Sequence, residues 1–169
     1  MKRWCLIDEF ATFEKVRFYT VRFEDEDVSE TDKFFSAFDA DPDLYEKLNK
    51  LLAFVEQMGN HFGAKSEFFR HEGSADGLPP KERIARKYDL VEFIDYKFRL
   101  YCMRLSDTVV ILFNGVIKET NKNQEDSEQL MPIFRNALTF SRRINDKIND
   151  KEFNLSNKEI IADELAFEY

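Results

Sequence analysis

Two consecutive segments with strand character, within 96–120, constrain the fold of this chain more than any other feature. In the first, apolar residues alternate with Arg99 and Tyr101, which is the period-2 pattern of a strand with two different faces. In the second, 108–113 reads TVVILF, an almost continuous apolar run that is typical of a strand covered on both faces. The polar pair Ser106-Asp107 predicts the turn between them. The sequence therefore predicts two adjacent antiparallel strands at the centre of a sheet.

The preceding part of the chain predicts one strand, two helices and a further strand. The β-branched and aromatic residues of 15–24 favour a strand. Ser29 is a typical N-cap for a short helix. Asp41-Pro42 is a typical start for a second helix, whose apolar stripe runs to about residue 60 and ends at Gly63. The segment 88–94, YDLVEFI, then predicts a strand that leads into the central pair.

Two capping-box pairs predict where the last helices begin. Asp126 with Gln129 precedes a long apolar stripe that reaches Ile148, and Ser156 with Glu159 predicts a short terminal helix. The order of elements is strand, helix, helix, loop, three antiparallel strands and helix, which indicates an α+β fold. We interpret the chain as an N-terminal extension (1–14), a central domain (15–150) and an acidic C-terminal segment (151–169).

Composition and charge limit the functional classes. The 169 residues suit one domain with a sizeable core, and the net charge of -8 argues against a broad nucleic-acid or anionic-membrane surface, although a local basic patch remains compatible with it. No apolar run approaches the roughly 20 residues of a membrane span. Cys5 and Cys102 are far apart in the sequence, which favours two free thiols. With only two cysteines and two histidines, the chain offers no metal site of the Cys/His type. We expect a cytoplasmic protein that contacts no membrane and needs no cofactor.

The order of elements and four local sequences resemble the RelE/ParE toxin superfamily, in particular its HigB-type and phage-derived relatives. The resemblance covers about 15–147, and it is carried by VRFYTVRFEDEDVSETDKFFSAF, LLAFVEQMGNHFG, LVEFI with FRLY, and GVIKETNK. It implies a helical hairpin packed on a small curved antiparallel sheet, with a long C-terminal helix. It also implies a toxin of a bacterial type II toxin–antitoxin system, whose partner is a cognate antitoxin protein. Such a toxin acts as an endoribonuclease on mRNA at the ribosome or, in the ParE-like branch, on gyrase.

The resemblance also implies roles for particular residues. Arg99 matches the family arginine that contacts the scissile phosphate, and Lys118 and Lys122 match lysines that follow the fourth strand. The second family lysine is Glu119 in this chain, which reverses the charge at that position. The sequence offers no match to the catalytic side chain that nuclease members often carry near the C-terminus.

Metal-independent cleavage of RNA by its own 2′-hydroxyl needs a base, an acid and cations that hold the phosphate. The planar fork of Arg99 suits two phosphate oxygens, and the alternative is a surface ion pair. Lys118 binds phosphate or only solubilises a strand end, and His71 is a candidate base or a surface histidine without a role. We also predict contacts to RNA from Tyr101, through stacking on a base, from Lys122 and from Arg104. The alternative for Tyr101 is a half-buried sheet aromatic.

The sequence leaves two functions open, a ribonuclease toxin and a non-catalytic binding module. The overall acidity and Glu119 favour the second. A further hypothesis is that the acidic terminal segment Glu152 to Tyr169 folds over the basic site and masks it. The sequence does not determine the oligomeric state.

Overall fold

The computed structural model describes residues 2–95, 97–118 and 130–169, and nine strands and four α-helices lie within them. The strands are β1 (Trp4–Thr12), β2 (Arg17–Phe23), β3 (Arg70–Glu72), β4 (Ala75–Leu78), β5 (Phe98–Arg104), β6 (Val109–Ile117), β7 (Asn154–Ser156), β8 (Glu159–Ile161) and β9 (Ala166–Glu168). The helices are α1 (Glu30–Ser36), α2 (Pro42–Gln57), α3 (Glu82–Lys87) and α4 (Leu130–Asn149). A π-helical turn spans Met58–Phe62, and 3₁₀ turns span Ser66–Phe68 and Val91–Phe93.

Seven of these strands form one mixed sheet in the order β3-β4-β5-β6-β2-β1-β9. β2 and β6 run parallel, whereas the other neighbours in the sheet run antiparallel. β7 and β8 form a separate hairpin. The sheet therefore has two short edge strands, β3 and β9, which lie at opposite ends of the strand order.

The helix boundaries follow from the caps that the sequence predicts. Ser29 accepts a hydrogen bond from the Asp32 N–H at 3.1 Å, and the Asp41 carboxylate accepts from two backbone N–H groups at the start of α2. The π-helical turn after α2 ends at Gly63, whose φ of 77° is in the left-handed region. The two predicted helices after β2 and the long C-terminal helix are thereby confirmed.

Helices cover both faces of the sheet. α1 and α2 pack on the face that carries Phe18, Leu100 and Leu112. α4 and the β7–β8 hairpin pack on the other face, against Ile111 and Phe113 among others. β6 alternates between the two cores and is buried on both sides, as its continuous apolar run predicts.

The α+β class is confirmed, but the predicted architecture of a helical hairpin on a small curved antiparallel sheet is wrong. The sheet has seven strands, it is mixed, and both of its faces are covered. The physical reason is that β1 and β9 extend it at one edge and β3 and β4 at the other. These strands are short or pair with partners distant in sequence, so local patterns give little sign of them.

Two local predictions are also wrong. The segment around Ser156 and Glu159 forms the β7–β8 hairpin, in which these two residues are paired and Asn157 takes the left-handed turn conformation with φ 55°. The segment 88–94 contains a 3₁₀ turn, Val91–Phe93, and β4 is the strand that pairs with β5 on that side. The predicted capping box of Asp126 and Gln129 lies outside the described residues.

Both segments that the sequence separates from the central domain contribute strands to the sheet. β1 pairs with β2 from Cys5↔Phe23 to Thr12↔Arg17, with an irregularity near Glu9. β9 pairs with β1, and Phe167 is fully buried in the core beneath α4. Residues 4–12 and 166–168 therefore belong to the same sheet as 17–117.

Candidate functional site

Arg99 and Lys118 lie on one face at one end of the sheet. Arg99 on β5 is opposite Val116 on β6, so the alternation of side chains places Lys118 on the face of Arg99. The Lys118 backbone N–H donates to the Lys97 carbonyl at 2.5 Å, which continues the strand pairing just beyond β6. The structure thus brings together the two cations that the sequence singles out for phosphate binding.

Two residues of the edge strand β3 join this pair. In the register of the sheet, Arg70 is opposite Gly77 of β4, and Gly77 is opposite Tyr101 of β5, so Arg70 shares the face of Arg99. Glu72 shares that face too, and its carboxylate accepts a hydrogen bond from the Arg99 guanidinium in an ion pair. We call Arg70, Glu72, Arg99 and Lys118 the cation site.

The Arg99–Glu72 ion pair is largely buried. The exposed fractions of the two side chains are 8% and 11%. A Cβ added at Gly77 would lie 2.9 Å from Cδ of Arg99 and 3.0 Å from Cγ of Glu72. A glycine on β4 therefore leaves room for the pair. Sequence reasoning missed Glu72 because only the β3–β4–β5 register brings it to Arg99, and the lone glycine in the short strand is the one local signal.

The electrostatics of the cation site favour an anion. Burial lowers the pKa of Lys118, and the neighbouring positive charges of Arg99 and Arg70 lower it further, against the opposite effect of Glu72. Nε of Arg99 is buried and has no hydrogen-bond acceptor among the described residues. A buried donor without an acceptor is costly, so the positive charge of Arg99 is incompletely compensated within the site. The site can therefore bind a phosphate group between clustered cations.

His71 lies on the opposite face of the sheet from Arg99. It pairs in register with Asp76, which is opposite Cys102 and therefore faces the α1–α2 core. Its side chain is 93% exposed, and its Nδ1 is 3.7 Å from the Asp76 carboxylate. Burial raises the pKa of Asp76, and the Arg104 N–H that donates to it has the opposite effect. The structure does not bring His71 to the reacting position that Arg99 and Lys118 define.

The RNA contacts predicted for Tyr101 and Arg104 also lie away from the cation site. Tyr101 is 0% exposed, and its ring packs 5.4 Å from that of Phe134 on α4, so it is more buried than the half-buried sheet aromatic that the sequence left as its alternative. Arg104 is at the far end of β5, five residues or about 17 Å from Arg99 along the strand. Its Nε donates to the Ala64 carbonyl at 2.6 Å. Lys122 and Glu119 lie outside the described residues.

The acidic C-terminal segment does not cover the cation site. β9 is the edge strand at the other end of the strand order from β3. The β7–β8 hairpin contacts Thr108, just before β6, through the Asn157 carbonyl, whereas Lys118 follows the end of β6. The hypothesis that this segment masks the basic residues is therefore wrong.

Comparison of the chain with protein-family models, with curated proteins and with solved structures gives no match. No helix within the described ranges is long and apolar enough to cross a membrane. In the same ranges, no group of three or more His, Cys, Asp or Glu side chains is placed to hold a metal ion. The function must therefore be inferred from the geometry of the cation site.

Proposed function

We propose that this chain is a toxin-like, metal-independent endoribonuclease that binds the RNA backbone at the cation site. The observation that carries the proposal is the convergence of Arg70, Arg99 and Lys118 around the Glu72 carboxylate, in a chain with a net charge of -8. Such a local concentration of cations is what an acidic protein needs in order to bind a polyanion. The sequence resemblance to the RelE/ParE toxins supports the same class of substrate.

Arg99 and Lys118 supply two different kinds of contact. The guanidinium of Arg99 is held in place by Glu72 and offers its remaining donors in a fixed plane, which suits two oxygens of one phosphate. Lys118 is a point charge whose lowered pKa makes its ammonium a better proton donor than an ordinary lysine. Together they can stabilise the extra negative charge of a pentacoordinate phosphorus in the transition state.

Glu72 is the carboxylate that can act as the base. It takes the proton of the 2′-hydroxyl while the O2′–P bond forms, and the P–O5′ bond breaks as Lys118 gives a proton to the departing O5′. The products are a 2′,3′-cyclic phosphate and a 5′-hydroxyl, so atoms and charges balance without a co-reactant. Under this proposal the chain works in the cytoplasm on mRNA, and a cognate antitoxin protein is its partner.

Cleavage of a 5′-labelled single-stranded RNA in the presence of EDTA tests the proposed chemistry. We expect a 2′,3′-cyclic phosphate product from wild type and a loss of about 10²–10⁴-fold in rate for Lys118→Gln and Glu72→Gln, since each removes a proton-transfer group. Lys50→Gln is the matched control, because Lys50 is exposed on α2 on the other face of the sheet. RNA that stays intact with wild-type protein, or equal rates for Lys118→Gln and Lys50→Gln, would refute the nuclease proposal.

A second function, RNA binding without cleavage, is favoured by the burial of the Arg99–Glu72 pair. A carboxylate locked onto a guanidinium is less available as a base than a free one. The two functions separate when binding and cleavage are measured on the same RNA. Binding that is weakened by Lys118→Gln, together with intact RNA, would support the binding module. Absence of binding would remove both functions.

A further inference from the structure

A groove lined by cationic side chains adjoins the cation site. It has a volume of about 330 Å³ and lies between the 3₁₀ turn Ser66–Phe68, β3 and the start of α3. We call it the basic groove, and its lining includes Ser66, Glu67, Arg70, His71, Lys81 and Arg83. Its volume is near the lower limit for small-molecule sites, which is enough for one nucleotide unit.

The charge of the basic groove opposes the charge of the whole chain. Between Lys65 and Lys87 there are six Lys or Arg and four Asp or Glu, in a chain with a net charge of -8. The one carboxylate in the lining, Glu67, is held by Lys87 at 3.1 Å and by the Tyr88 hydroxyl. Lys81 and Arg83 make no ion pair within the described part of the chain, and both are exposed. Lys81 and Arg83 therefore give the groove positive charge that no ion pair among the described residues offsets.

Arg70 connects the basic groove to the cation site. Its Nε donates to the Pro79 carbonyl at 2.9 Å, and a terminal nitrogen donates to the Pro80 carbonyl at 3.5 Å, so the guanidinium has a defined position. Arg70 lines the groove and is also close enough to Lys118 to lower its pKa. A strand of nucleic acid bound at Lys118 would consequently pass the groove when it runs along the β3 edge.

We propose that the basic groove binds a phosphate that flanks the scissile one, so that the substrate is single-stranded RNA several nucleotides long. Lys81 and Arg83 contact the flanking phosphate, and Arg70 lies between the two phosphate positions. Because the groove matters only to a strand already bound at the cation site, this role rests on the proposed function. Single-stranded RNA fits better than a duplex because one flexible backbone can bend from the cation site, on one face of the sheet, to the groove at its β3 edge.

The test is the salt dependence of binding of fluorescein-labelled single-stranded RNA, followed by fluorescence anisotropy with the full chain. The log of the affinity for single strands falls with the log of salt by about 0.7 for each phosphate neutralised. The double variant Lys81→Ala/Arg83→Ala should lower that slope by about 0.7 for a decanucleotide, since one phosphate contact is lost, and weaken binding by tenfold or more at low salt. Binding of a dinucleotide, which has one internal phosphate, should be unchanged.

Arg86→Ala is the matched control on the same helix, because Arg86 is exposed but paired with Glu82 at 2.5 Å. It should bind the decanucleotide like wild type. An unchanged affinity and slope for the double variant, with weaker binding by Lys118→Gln, would overturn the groove and leave the proposed function intact. Equal weakening of dinucleotide and decanucleotide binding would also overturn the proposed phosphate contact. Lys81 and Arg83 would then act only through the long-range attraction of their charges. Absence of RNA binding by wild type would remove both.

Discussion

The two edges of the sheet carry opposite charge. At one edge, β3 and the start of α3 present the basic groove and lead to the cation site. At the other edge, the segment 150–169 holds six Asp or Glu and only two Lys or Arg, and its strand β9 lies beside the exposed Trp4. A molecule with this asymmetry orients in the field of a polyanion, so that the basic edge approaches first.

The edges also differ in how they are stabilised. Next to β9, four aromatic rings surround Phe140 of α4 at centroid distances from 5.2 to 6.1 Å. They are those of Phe23, Phe113 and Phe167, from three strands, and of Tyr169 just after β9. Next to β3, the α4 side of the sheet buries the ion pair of Arg99 with Glu72, and on the other side Phe68 packs against Phe54 and Phe62. Apolar rings add to stability in proportion to their burial, whereas a buried ion pair often contributes little net stability. Both edges therefore have an aromatic core, and the basic edge differs in that it also keeps a buried ion pair.

The largest expected effect tests the acidic edge. Phe140→Ala should reduce the free energy of unfolding by about 3–5 kcal/mol, because it removes a fully buried ring from an aromatic cluster. Urea denaturation measures it. Leu155→Ala on the β7–β8 hairpin is the control, since a residue that is 39% exposed should change stability by less than about 0.5 kcal/mol. A loss below about 1 kcal/mol for Phe140→Ala would show that the cluster does not stabilise this edge.

The second effect tests the basic edge. Glu72→Gln should cost about 2–3 kcal/mol, because Arg99 stays buried without an opposite charge although the amide oxygen still accepts a hydrogen bond. The double variant Glu72→Leu/Arg99→Met should return to within about 1 kcal/mol of wild type, since it buries no charge. On the acidic edge, Lys147→Ala breaks the more exposed pair with Glu152 and should cost less than about 0.5 kcal/mol. Equal costs at the two edges would contradict the difference between them.

The parts of the fold that the sequence predicts correctly are those that local patterns determine. Ser29 and Asp41 form the caps that they predict, and the apolar stripes of α2 and α4 face the two cores. The pair Ser156 and Glu159 fits a capping box and also fits two facing positions of a hairpin, so the spacing alone cannot decide between them. Burial of Ile160 beside the Tyr19 hydroxyl decides for the hairpin, and that contact joins residues far apart in sequence.

The residues of the cation site also differ in whether local sequence patterns predict that they lie close together. Arg99 and Lys118 come from adjacent antiparallel strands, so their proximity follows from strand alternation. Glu72 and Arg70 reach them through two further strand pairings, β3–β4 and β4–β5, which no local pattern specifies. The strand between them, β4, contains Gly77 and is followed by two prolines, and these features usually indicate a loop.

The third effect tests whether Gly77 leaves room for the ion pair at the basic edge. Gly77→Ala should cost about 1–2 kcal/mol, because the added methyl group would approach Arg99 and Glu72 too closely. Thermal unfolding measures the cost. In a Glu72→Ala/Arg99→Ala background the same substitution should cost less than half as much, since the Cδ of Arg99 and the Cγ of Glu72 that it meets are then absent. A cost that does not depend on the background would mean that Gly77 is needed for its backbone and not for the ion pair.

The smallest expected effect is the pH dependence of binding at the cation site. Protonated Lys118 attracts phosphate, and its lowered pKa means that it loses this charge at a lower pH than an ordinary lysine. Affinity for a dinucleotide should therefore fall as pH rises through that pKa, by less than tenfold for each pH unit, with uptake of a proton on binding. The sign for stability is opposite. The unfolded chain binds this proton more tightly, so the Lys118 contribution to the free energy of unfolding rises with pH between the lowered pKa and the ordinary lysine pKa of 10.5.

Lys118→Arg separates charge from titration, because a guanidinium stays protonated over the same pH range. Anisotropy of a labelled dinucleotide between pH 7 and pH 10 should show a decline for wild type and a flat profile for Lys118→Arg. A decline of the same size in both proteins would place the titrating group elsewhere, for example on the RNA bases. A flat profile in wild type would mean that Lys118 keeps its charge throughout, and its role as the proton donor to O5′ would then have to be given up.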